Sequence, residues 1–276
     1  MVHNENVHIA NDGAEIFWQE WLPESDPRAV MILVHGLGEH STRYAHLAQR
    51  FTDAGIAVFT LDNRGHGKTP GTRGVMDFDK VVTDIGERLE EVRERYPDAP
   101  VIVFGHSLGG LLTMTYTVRN RPAITAQIAS APALDSELRE QRLKFALANL
   151  LGGIVPDIVL PTGLDSSGVS RDPKVVAAYD ADPLVHDKGS TGLAKATFAA
   201  MDDMMAQTTF PVPLLIVHGT GDRLTVPAAS KTFVNQVTGD VTLIEYEGIY
   251  HELHNEPEQD EVFADIMKWL EQHLSS

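Results

Sequence analysis

The feature that most constrains this 276-residue chain is a Gly-x-Ser-x-Gly motif formed by Gly105, Ser107 and Gly109. Residues 101–104 are apolar and rich in β-branched side chains, which predicts a short buried strand, and residues 111–119 predict a helix. A sharp turn from strand to helix strains its central residue, and flanking glycines remove the Cβ clashes that would prevent it. In this context the motif predicts a serine hydroxyl exposed above a sheet, at the positive end of a helix dipole that favours negative charge.

Apolar strand patterns alternate with helical patterns along most of the chain. The predicted strands are residues 30–34, 56–61, 101–104, 126–131, 214–217 and 241–246, and the predicted helices are residues 44–54, 78–96, 111–119, 228–237 and 259–274. A hairpin over residues 7–22, with its turn at residues 11–13, opens the domain. This alternation predicts an α/β fold with a mostly parallel central sheet flanked by helices on both faces.

The alternation breaks at residues 133–209, where helical pieces such as residues 137–151 are interrupted by glycine and proline. We interpret this stretch as a mainly helical cap, or lid, over the carboxyl ends of the strands, where open α/β sheets bind ligands. We therefore expect a single domain over residues 1–276 that contains the cap as an insertion.

Composition excludes several classes of protein. The absence of cysteine excludes disulfides and thiolate chemistry, and a net charge of −17, from 22 Lys+Arg and 39 Asp+Glu, repels nucleic acid and anionic lipid. No apolar run approaches the roughly 20 residues that cross a bilayer, and residues 1–6 lack the basic start and apolar stretch of a signal peptide. We expect a cytoplasmic protein, at most peripheral to membranes, with no nucleic-acid partner; its oligomeric state follows from none of these features.

Serine becomes an effective nucleophile only when a neighbouring base takes its proton and a third group orients that base. Two candidates follow Ser107 at points where predicted strands end. Asp222 comes after the strand at residues 214–217, and His251 comes after the strand at residues 241–246. Both are expected at the same sheet edge as Ser107, so the sequence predicts a triad of Ser107, His251 and Asp222.

Other residues are weaker candidates for these roles. His254 lies in the same loop as His251, His218 is expected to pack beneath the site at a strand end, and Asp202 and Asp203 lie in the cap. The segment at residues 251–254 is one residue short of the His-Glu-x-x-His zinc pattern, so both imidazoles cannot adopt its helical geometry. We predict neither a metal ion nor a cofactor.

The segment His35-Gly36-Leu37-Gly38 ends another predicted strand and supplies the second part of the machinery. Negative charge develops on a carbonyl oxygen during nucleophilic attack, and preorganised backbone N–H groups stabilise it. We predict the N–H groups of Leu37 and Leu108 as these oxyanion donors, in a turn that also serves to end the strand.

Taken with these motifs, the chain resembles the monoacylglycerol lipases of the α/β-hydrolase fold. The similarity lies in residues 35–44, 105–110, 221–224 and 246–254, and in two cap segments at residues 164–172 and 179–184. The triad motifs are shared by the whole superfamily, whereas the Gly-Glu-His-Ser-x-Arg-Tyr and cap segments narrow the resemblance. It covers nearly the whole chain.

The resemblance implies roles for particular residues. It makes Ser107, Asp222 and His251 the triad, with Leu37 and Leu108 as oxyanion donors. It assigns a further set to the polar end of the substrate pocket, where a glycerol headgroup would bind: Glu39, Arg43, His106, Tyr179 and His254. Structural alternatives stay open, because Arg43 can simply pair with an acidic neighbour and Tyr179 can simply hold the cap. Thiol-based regulation does not carry over, since the chain has no cysteine.

The apolar cap segment at residues 145–160 has two interpretations. Its apolar face can pack onto the hydrolase core, or it can form an acyl-chain tunnel and a surface that transiently contacts lipid aggregates. Burial of an acyl chain contributes about 0.8 kcal/mol per CH₂, so a tunnel favours lipid substrates. We expect this region to be mobile, with lipid aggregates favouring an open form.

The expected function is hydrolysis of the ester bond of monoacylglycerols, a small lipid ester substrate, to glycerol and free fatty acid through an acyl-enzyme. A lysophospholipase or general carboxylesterase would use the same triad. A ligand sensor with negligible turnover is disfavoured by the intact triad, and the fold's aspartate-dependent enzymes are excluded by Ser107.

Overall fold

The computed structural model describes residues 1–136 and 152–274 of the chain. Its strands, in chain order, are β1 (Val2–Ile9), β2 (Glu15–Leu22), β3 (Ala29–Val34), β4 (Ile56–Leu61), β5 (Val101–His106), β6 (Ala126–Ser130), β7 (Val159–Pro161), β8 (Lys188–Ser190), β9 (Leu214–Gly219) and β10 (Val241–Tyr246). Eight of them form one sheet in the order β1-β2-β4-β3-β5-β6-β9-β10, and β7 pairs with β8 in the cap region. The predicted strands are all present.

Only β2 runs against the other strands of the large sheet. It pairs antiparallel with β1 on one side and with β4 on the other, and the remaining neighbours are parallel. The opening hairpin is longer than predicted, because β1 pairs with β2 from Val2 onward. Residues 2–6 are exposed on an edge strand, so their polar sequence carries no burial pattern from which a strand could be predicted.

The helices cover both faces of the sheet. They are α1 (Ala45–Asp53), α2 (Phe78–Arg95), α3 (Leu108–Asn120), α4 (Pro173–Ala181), α5 (Thr191–Met205), α6 (Pro227–Gln236) and α7 (Gln259–Leu274), with 3-10 turns at Ser41–Tyr44, Ser166–Gly168 and Leu253–Asn255. Alternate residues of β3 serve two cores: Ile32 lies in the core beneath α2 and α3, and Met31 lies in the core beneath α1 and α7. This period of two is what a sheet buried on both faces requires.

The turn between β5 and α3 has the strained geometry that its motif predicts. Ser107 has φ 55° and ψ −120°. A Cβ on Gly105 would lie 2.4 Å from the carbonyl oxygen of Gly109, and one on Gly109 would lie 2.2 Å from that of Val34. Only glycine fits at either position, so the motif is a steric requirement of this turn.

The predicted cap is described from residue 152 onward. The predicted helix at residues 137–151, and the first part of the apolar segment at residues 145–160, lie outside the described residues. Helix α5 packs into the core beneath α2 and α3, whereas Ile154, Ile158 and Leu160 are exposed. None of the described helices is long and apolar enough to cross a membrane.

Candidate active site

The three residues predicted as a triad lie at the carboxyl ends of neighbouring strands. Ser107 follows β5, Asp222 follows β9 and His251 follows β10, and β6 is the strand between β5 and β9. His251 Nδ1 donates to Asp222 Oδ2 over 2.7 Å. The ring of His106, next to Ser107 in the chain, lies 4.6 Å from the ring of His251. No hydrogen bond joins the Ser107 hydroxyl to His251 within residues 1–136 and 152–274.

Asp222 is held by a dense set of donors. Its Oδ1 accepts from the N–H groups of Leu224 and Thr225, over 2.7 and 3.1 Å. Besides the bond from His251, its Oδ2 accepts hydrogen bonds from the Thr225 hydroxyl, over 2.8 Å, and from His218 Nε2, over 3.1 Å. Burial would raise the pKa of Asp222, but His251 and the hydrogen bond from His218 outweigh it and hold the pKa well below its ordinary value. The carboxylate is therefore ionised at any pH near neutrality.

His251 is poised as a base. Burial disfavours its charged form, but the Asp222 carboxylate outweighs burial and raises the pKa of His251. Because a carboxylate only accepts hydrogen bonds, the proton of the neutral ring is on Nδ1 and the lone pair is on Nε2. Asp222 thus selects the tautomer in which Nε2 can accept a proton.

Two backbone donors flank the serine. Leu108 begins α3, so its N–H has no partner within the helix. In the part of the chain that the structure describes, the N–H groups of Leu37 and Leu108 make no hydrogen bond. A Cβ on Gly36 would lie 3.0 Å from the Ser107 Cβ, so the turn that carries Leu37 packs directly against the serine.

The buried side chain of Glu39 holds this turn in place through hydrogen bonds. Its Oε1 accepts from the Gly36 N–H and from the Tyr44 hydroxyl, each over 2.7 Å, and its Oε2 accepts from Arg43 Nη1 over 2.6 Å. Burial would raise the pKa of Glu39, but the charge of Arg43 and the hydrogen bonds from Tyr44 and the Gly36 N–H outweigh it, so its pKa is lowered. The ionised side chain holds the backbone beside the predicted oxyanion donor.

Arg43 links the turn to the histidine loop. It donates to both oxygens of Glu252, over 2.6 and 2.7 Å, and its guanidinium lies 4.6 Å from the centre of the Tyr179 ring. The predicted alternative, an ion pair of Arg43 with an acidic neighbour, is therefore present with two carboxylates. Glu252 could not be identified as a site residue from the sequence, because its partner is 209 residues away and its position next to His251 is its only signal.

Tyr179 lies in α4, close to the turn that carries Leu37 and Gly38. Its hydroxyl is 3.9 Å from where a Cβ on Gly38 would stand, and it has no hydrogen-bond partner among the described residues. Burial, followed by the charges of Glu39 and Glu252, raises the pKa of Tyr179 and keeps the hydroxyl protonated. This polar group is available to a bound molecule.

His254 and His106 belong to a cluster of ring side chains that includes His251 and Tyr44. His254 is 5% exposed, and the centre of its ring lies 4.7 Å from the centre of the Tyr44 ring. Neither of its ring nitrogens has a hydrogen-bond partner among the described residues. Burial and the adjacent His106 and His46 lower the pKa of His254 well below its ordinary value. Burial and His251 lower the pKa of His106 to about 3. Both rings are neutral here, and their contact with a substrate stays a prediction.

The weaker candidates occupy other positions. Asp202 and Asp203 are exposed on α5, whereas Asp222 bonds His251 directly. His218, predicted beneath the site, is fully buried and bonds Asp222. No group of three or more His, Asp or Glu side chains suited to a metal ion occurs in residues 1–136 and 152–274.

Comparison with known proteins gives consistent results. Residues 25–258 match the family described as Serine aminopeptidase, S33. The chain is 41% identical to a monoacylglycerol lipase of Mycolicibacterium smegmatis, over 98% of both chains. It is 33% identical to human monoglyceride lipase, over 98% of this chain and 91% of the relative. A solved monoacylglycerol lipase of Paleococcus ferrophilus superposes with a TM-score of 0.87 at 35% identity, over 94% of this chain and 99% of the other.

The sheet order, the strained serine turn and these structural neighbours define an α/β hydrolase, as the sequence predicted. The chain belongs to the serine aminopeptidase S33 family, among the relatives that include the monoacylglycerol lipases, so the resemblance seen in the sequence is confirmed.

Proposed function

We propose that the protein is a serine hydrolase that cleaves the ester bond of monoacylglycerols to glycerol and a free fatty acid. The observation that carries the proposal is the 2.7 Å bond between His251 and Asp222 beside a strained Ser107, at a sheet edge where two N–H groups are unpaired among the described residues. The similarity to monoacylglycerol lipases over nearly the whole chain supports the substrate class.

The reaction follows from the chemistry of these groups. The Ser107 Oγ attacks the ester carbonyl while His251 Nε2 takes the hydroxyl proton, and Asp222 stabilises the imidazolium. The N–H groups of Leu37 and Leu108 bind the developing oxyanion. His251 then gives its proton to the departing glycerol oxygen, which leaves an acyl ester on Ser107. Water attacks this ester with His251 again as base; the bond between the acyl group and Oγ then breaks, His251 returns the proton to Ser107 Oγ, and the fatty acid leaves.

The headgroup role falls most directly on Tyr179. Its hydroxyl has no partner among the described residues and lies near the oxyanion turn, so it can bond a glycerol hydroxyl. Glu39 and Arg43 already satisfy each other and Glu252, so their proposed role is to shape the polar end of the pocket. His106 and His254 would form its inner wall.

Charge favours a neutral headgroup over a phosphate. Two buried carboxylates, Glu39 and Glu252, face one guanidinium, that of Arg43, which leaves a net negative charge beside the site. A phosphate placed there would be repelled, and the net charge of −17 discourages its approach. This argument favours monoacylglycerols over lysophospholipids.

The apolar side chains exposed in the cap support a proposal about location. Ile154, Ile158 and Leu160 would transiently contact lipid aggregates that hold the substrate, while the protein itself is cytoplasmic and peripheral to membranes. The cap assignment at residues 133–209, within a single domain, is part of this proposal.

The test compares turnover across a substrate panel. Purified protein is given monooleoylglycerol, methyl oleate, lysophosphatidylcholine and lysophosphatidate, with Ser107→Ala as control and a fluorophosphonate probe to count reactive serines. We expect the highest kcat/KM for monooleoylglycerol. Faster cleavage of either lysophospholipid would favour a lysophospholipase, equal rates for the two oleate esters would favour a general esterase, and labelling without turnover would favour a sensor.

A further inference from the structure

A second imidazole bonds the same carboxylate oxygen of Asp222 as the imidazole that the proposed mechanism uses. His218, at the end of β9, is fully buried, and its Nε2 lies 3.1 Å from Asp222 Oδ2 and 3.1 Å from Thr225 Oγ1. Its Nδ1 lies 2.8 Å from the hydroxyl of Ser230, which is also fully buried. Space filling does not require this arrangement of polar atoms.

Hydrogen-bond chemistry assigns the proton of this ring. A carboxylate can only accept, so a lone pair on Nε2 would face the Asp222 oxygen with nothing between them. Nε2 therefore carries the hydrogen, and in the neutral ring Nδ1 must accept from the Ser230 hydroxyl. Ser230 in α6 thus selects the tautomer of His218, as Asp222 selects that of His251.

We propose that His218 is a positioning residue for the triad acid: it holds Asp222 Oδ2 in line with His251 and shares the charge of that oxygen. This inference rests on the proposed function, because it concerns how the same carboxylate acts in catalysis. Oδ2 otherwise accepts from His251 and from the Thr225 hydroxyl. Removal of the His218 N–H would weaken the hold on Oδ2 and leave more of its charge directed at His251, while the N–H groups of Leu224 and Thr225 still hold Oδ1.

The consequence is a defined change in pH dependence. Titratable groups from several elements surround the ring of His251. Asp222 lies in the loop after β9, and His106 lies in the turn after β5. Glu252 and His254 lie in the same loop as His251, and Glu39 is more distant. Loss of the His218 N–H removes a positive dipole end near His251 and strengthens the attraction of Asp222. Both effects favour the imidazolium, so the acid limb of kcat/KM moves to higher pH.

The experiment measures kcat, KM and the pH profile with a short-chain chromogenic ester, so that substrate class plays no part. We expect His218→Leu to lower kcat roughly tenfold, the effect of one lost hydrogen bond to a charged group, with KM unchanged and the acid limb shifted to higher pH. His218→Gln, which retains an N–H donor, should restore most of kcat and return the limb toward that of the unmutated protein. Ser230→Ala should shift the limb in the same direction as His218→Leu, by less.

The matched control is His273→Leu, which removes another imidazole bonded to an aspartate. His273 pairs with Asp240 over 3.0 Å, beside the amino end of β10 and away from Ser107, and its loss should leave the profile unchanged. A wild-type acid limb in His218→Leu, or equal losses in the Leu and Gln variants without a shift, would overturn the proposal. If His218→Leu does not fold, a wild-type limb in Ser230→Ala overturns it. No turnover in the unmutated protein would instead contradict the proposed function.

Discussion

Ser107 and His251 act as one unit in the proposed mechanism, so their substitutions should not add. We predict that Ser107→Ala lowers kcat by about six orders of magnitude, that His251→Ala costs a similar amount, and that the double variant loses no more. Single-turnover kinetics with monooleoylglycerol measure the loss, and circular dichroism checks that the fold is intact. Substantial activity in a folded Ser107→Ala variant would rule out Ser107 as the nucleophile.

The Tyr179 hydroxyl gives a clean test of headgroup binding, because its removal leaves no other group unpaired among the described residues. We predict that Tyr179→Phe lowers the preference for monooleoylglycerol over methyl oleate by roughly five- to tenfold, the effect of one hydrogen bond. The ratio of the two kcat/KM values measures it. An unchanged ratio would show that the hydroxyl makes no bond to glycerol.

Arg43→Ala serves as the contrasting variant. It leaves Glu39 and Glu252 buried without a counter-charge, which typically costs about 3–5 kcal/mol of stability. We therefore expect it to impair every ester and to lower the melting temperature, without a selective effect on the glycerol ester.

The sequence was enough to predict three residues that the structure brings to one sheet edge, but not all their neighbours. Ser107, Asp222 and His251 could be predicted because parallel strands bring their carboxyl ends to one sheet edge. His218 bonds Asp222 only because the turn between these two residues brings their side chains together. Arg43 pairs with Glu252 across two loops that are distant in sequence. Neither leaves a periodic pattern, so only the three-dimensional structure reveals them.

At the scale of elements, the cap region contains two parts with different contacts. Residues 154–164 carry exposed apolar side chains. Residues 166–171 instead contact the loops that carry Asp222 and His251: the carbonyl groups of Gly168 and Val169 accept from the N–H groups of His251 and Glu252, over 3.4 and 2.8 Å. Arg223, beside Asp222, donates to the Ser167 carbonyl over 2.8 Å. Residues 166–171 thus brace the acid and histidine loops against each other.

We predict that lipid aggregates change one part of the cap and leave the other unchanged. Hydrogen exchange measured with and without monoacylglycerol-like detergent micelles should change at residues 154–164, because exposed apolar groups gain a partner there. Exchange at residues 251–252 should stay slow in both conditions. Exchange that is unaffected by micelles throughout the cap would contradict a lipid-contacting surface.

The regular elements were predicted closely, and the differences have local causes. Helix α3 begins at Leu108, three residues before the predicted start, because glycines at positions 109 and 110 weaken the helical signal but pack closely against β3 and Pro132. Helix α5 could not be assigned to the core from sequence, since an apolar face does not indicate which surface covers it.

For the whole molecule, buried neutral histidines should make stability sensitive to acid. Burial and neighbouring groups lower the pKa of four of them: His35, His66, His106 and His254. In the unfolded chain each regains its ordinary pKa of about 6.5, so between that value and the lowered ones the unfolded state binds more protons. Stability is therefore full above about pH 6.5 and is lost as the pH falls, by at most about 1.4 kcal/mol per pH unit per histidine. His251, whose pKa is raised, acts in another window: its contribution to stability is full below about pH 6.5 and is lost as the pH rises through the raised pKa.

Calorimetric melting temperatures from pH 7 to pH 5 measure this dependence. We expect the melting temperature to fall as the pH is lowered through this window. The window lies above the ordinary pKa values of Asp and Glu, so the fall reports on histidines. His254→Phe keeps a ring in the cluster of ring side chains and removes one titrating group whose nitrogens bond nothing among the described residues, so it should flatten the slope. A melting temperature that does not change across the window would contradict the prediction.

The positive φ of Ser107 has a consequence for how stability and activity can be selected. The strain of a non-glycine residue in such a conformation is on the order of 1–3 kcal/mol. Glycine avoids this strain, and the entropy that it adds to the unfolded chain lowers stability by less, roughly 0.5–1 kcal/mol. We predict that Ser107→Gly melts at a higher temperature than Ser107→Ala, by roughly 2–4 °C per kcal/mol of relieved strain, and that both are inactive. Equal melting temperatures would mean that the turn stores no strain. Selection for heat resistance alone would thus favour glycine at this position, and under the proposed mechanism only selection for turnover keeps a serine there.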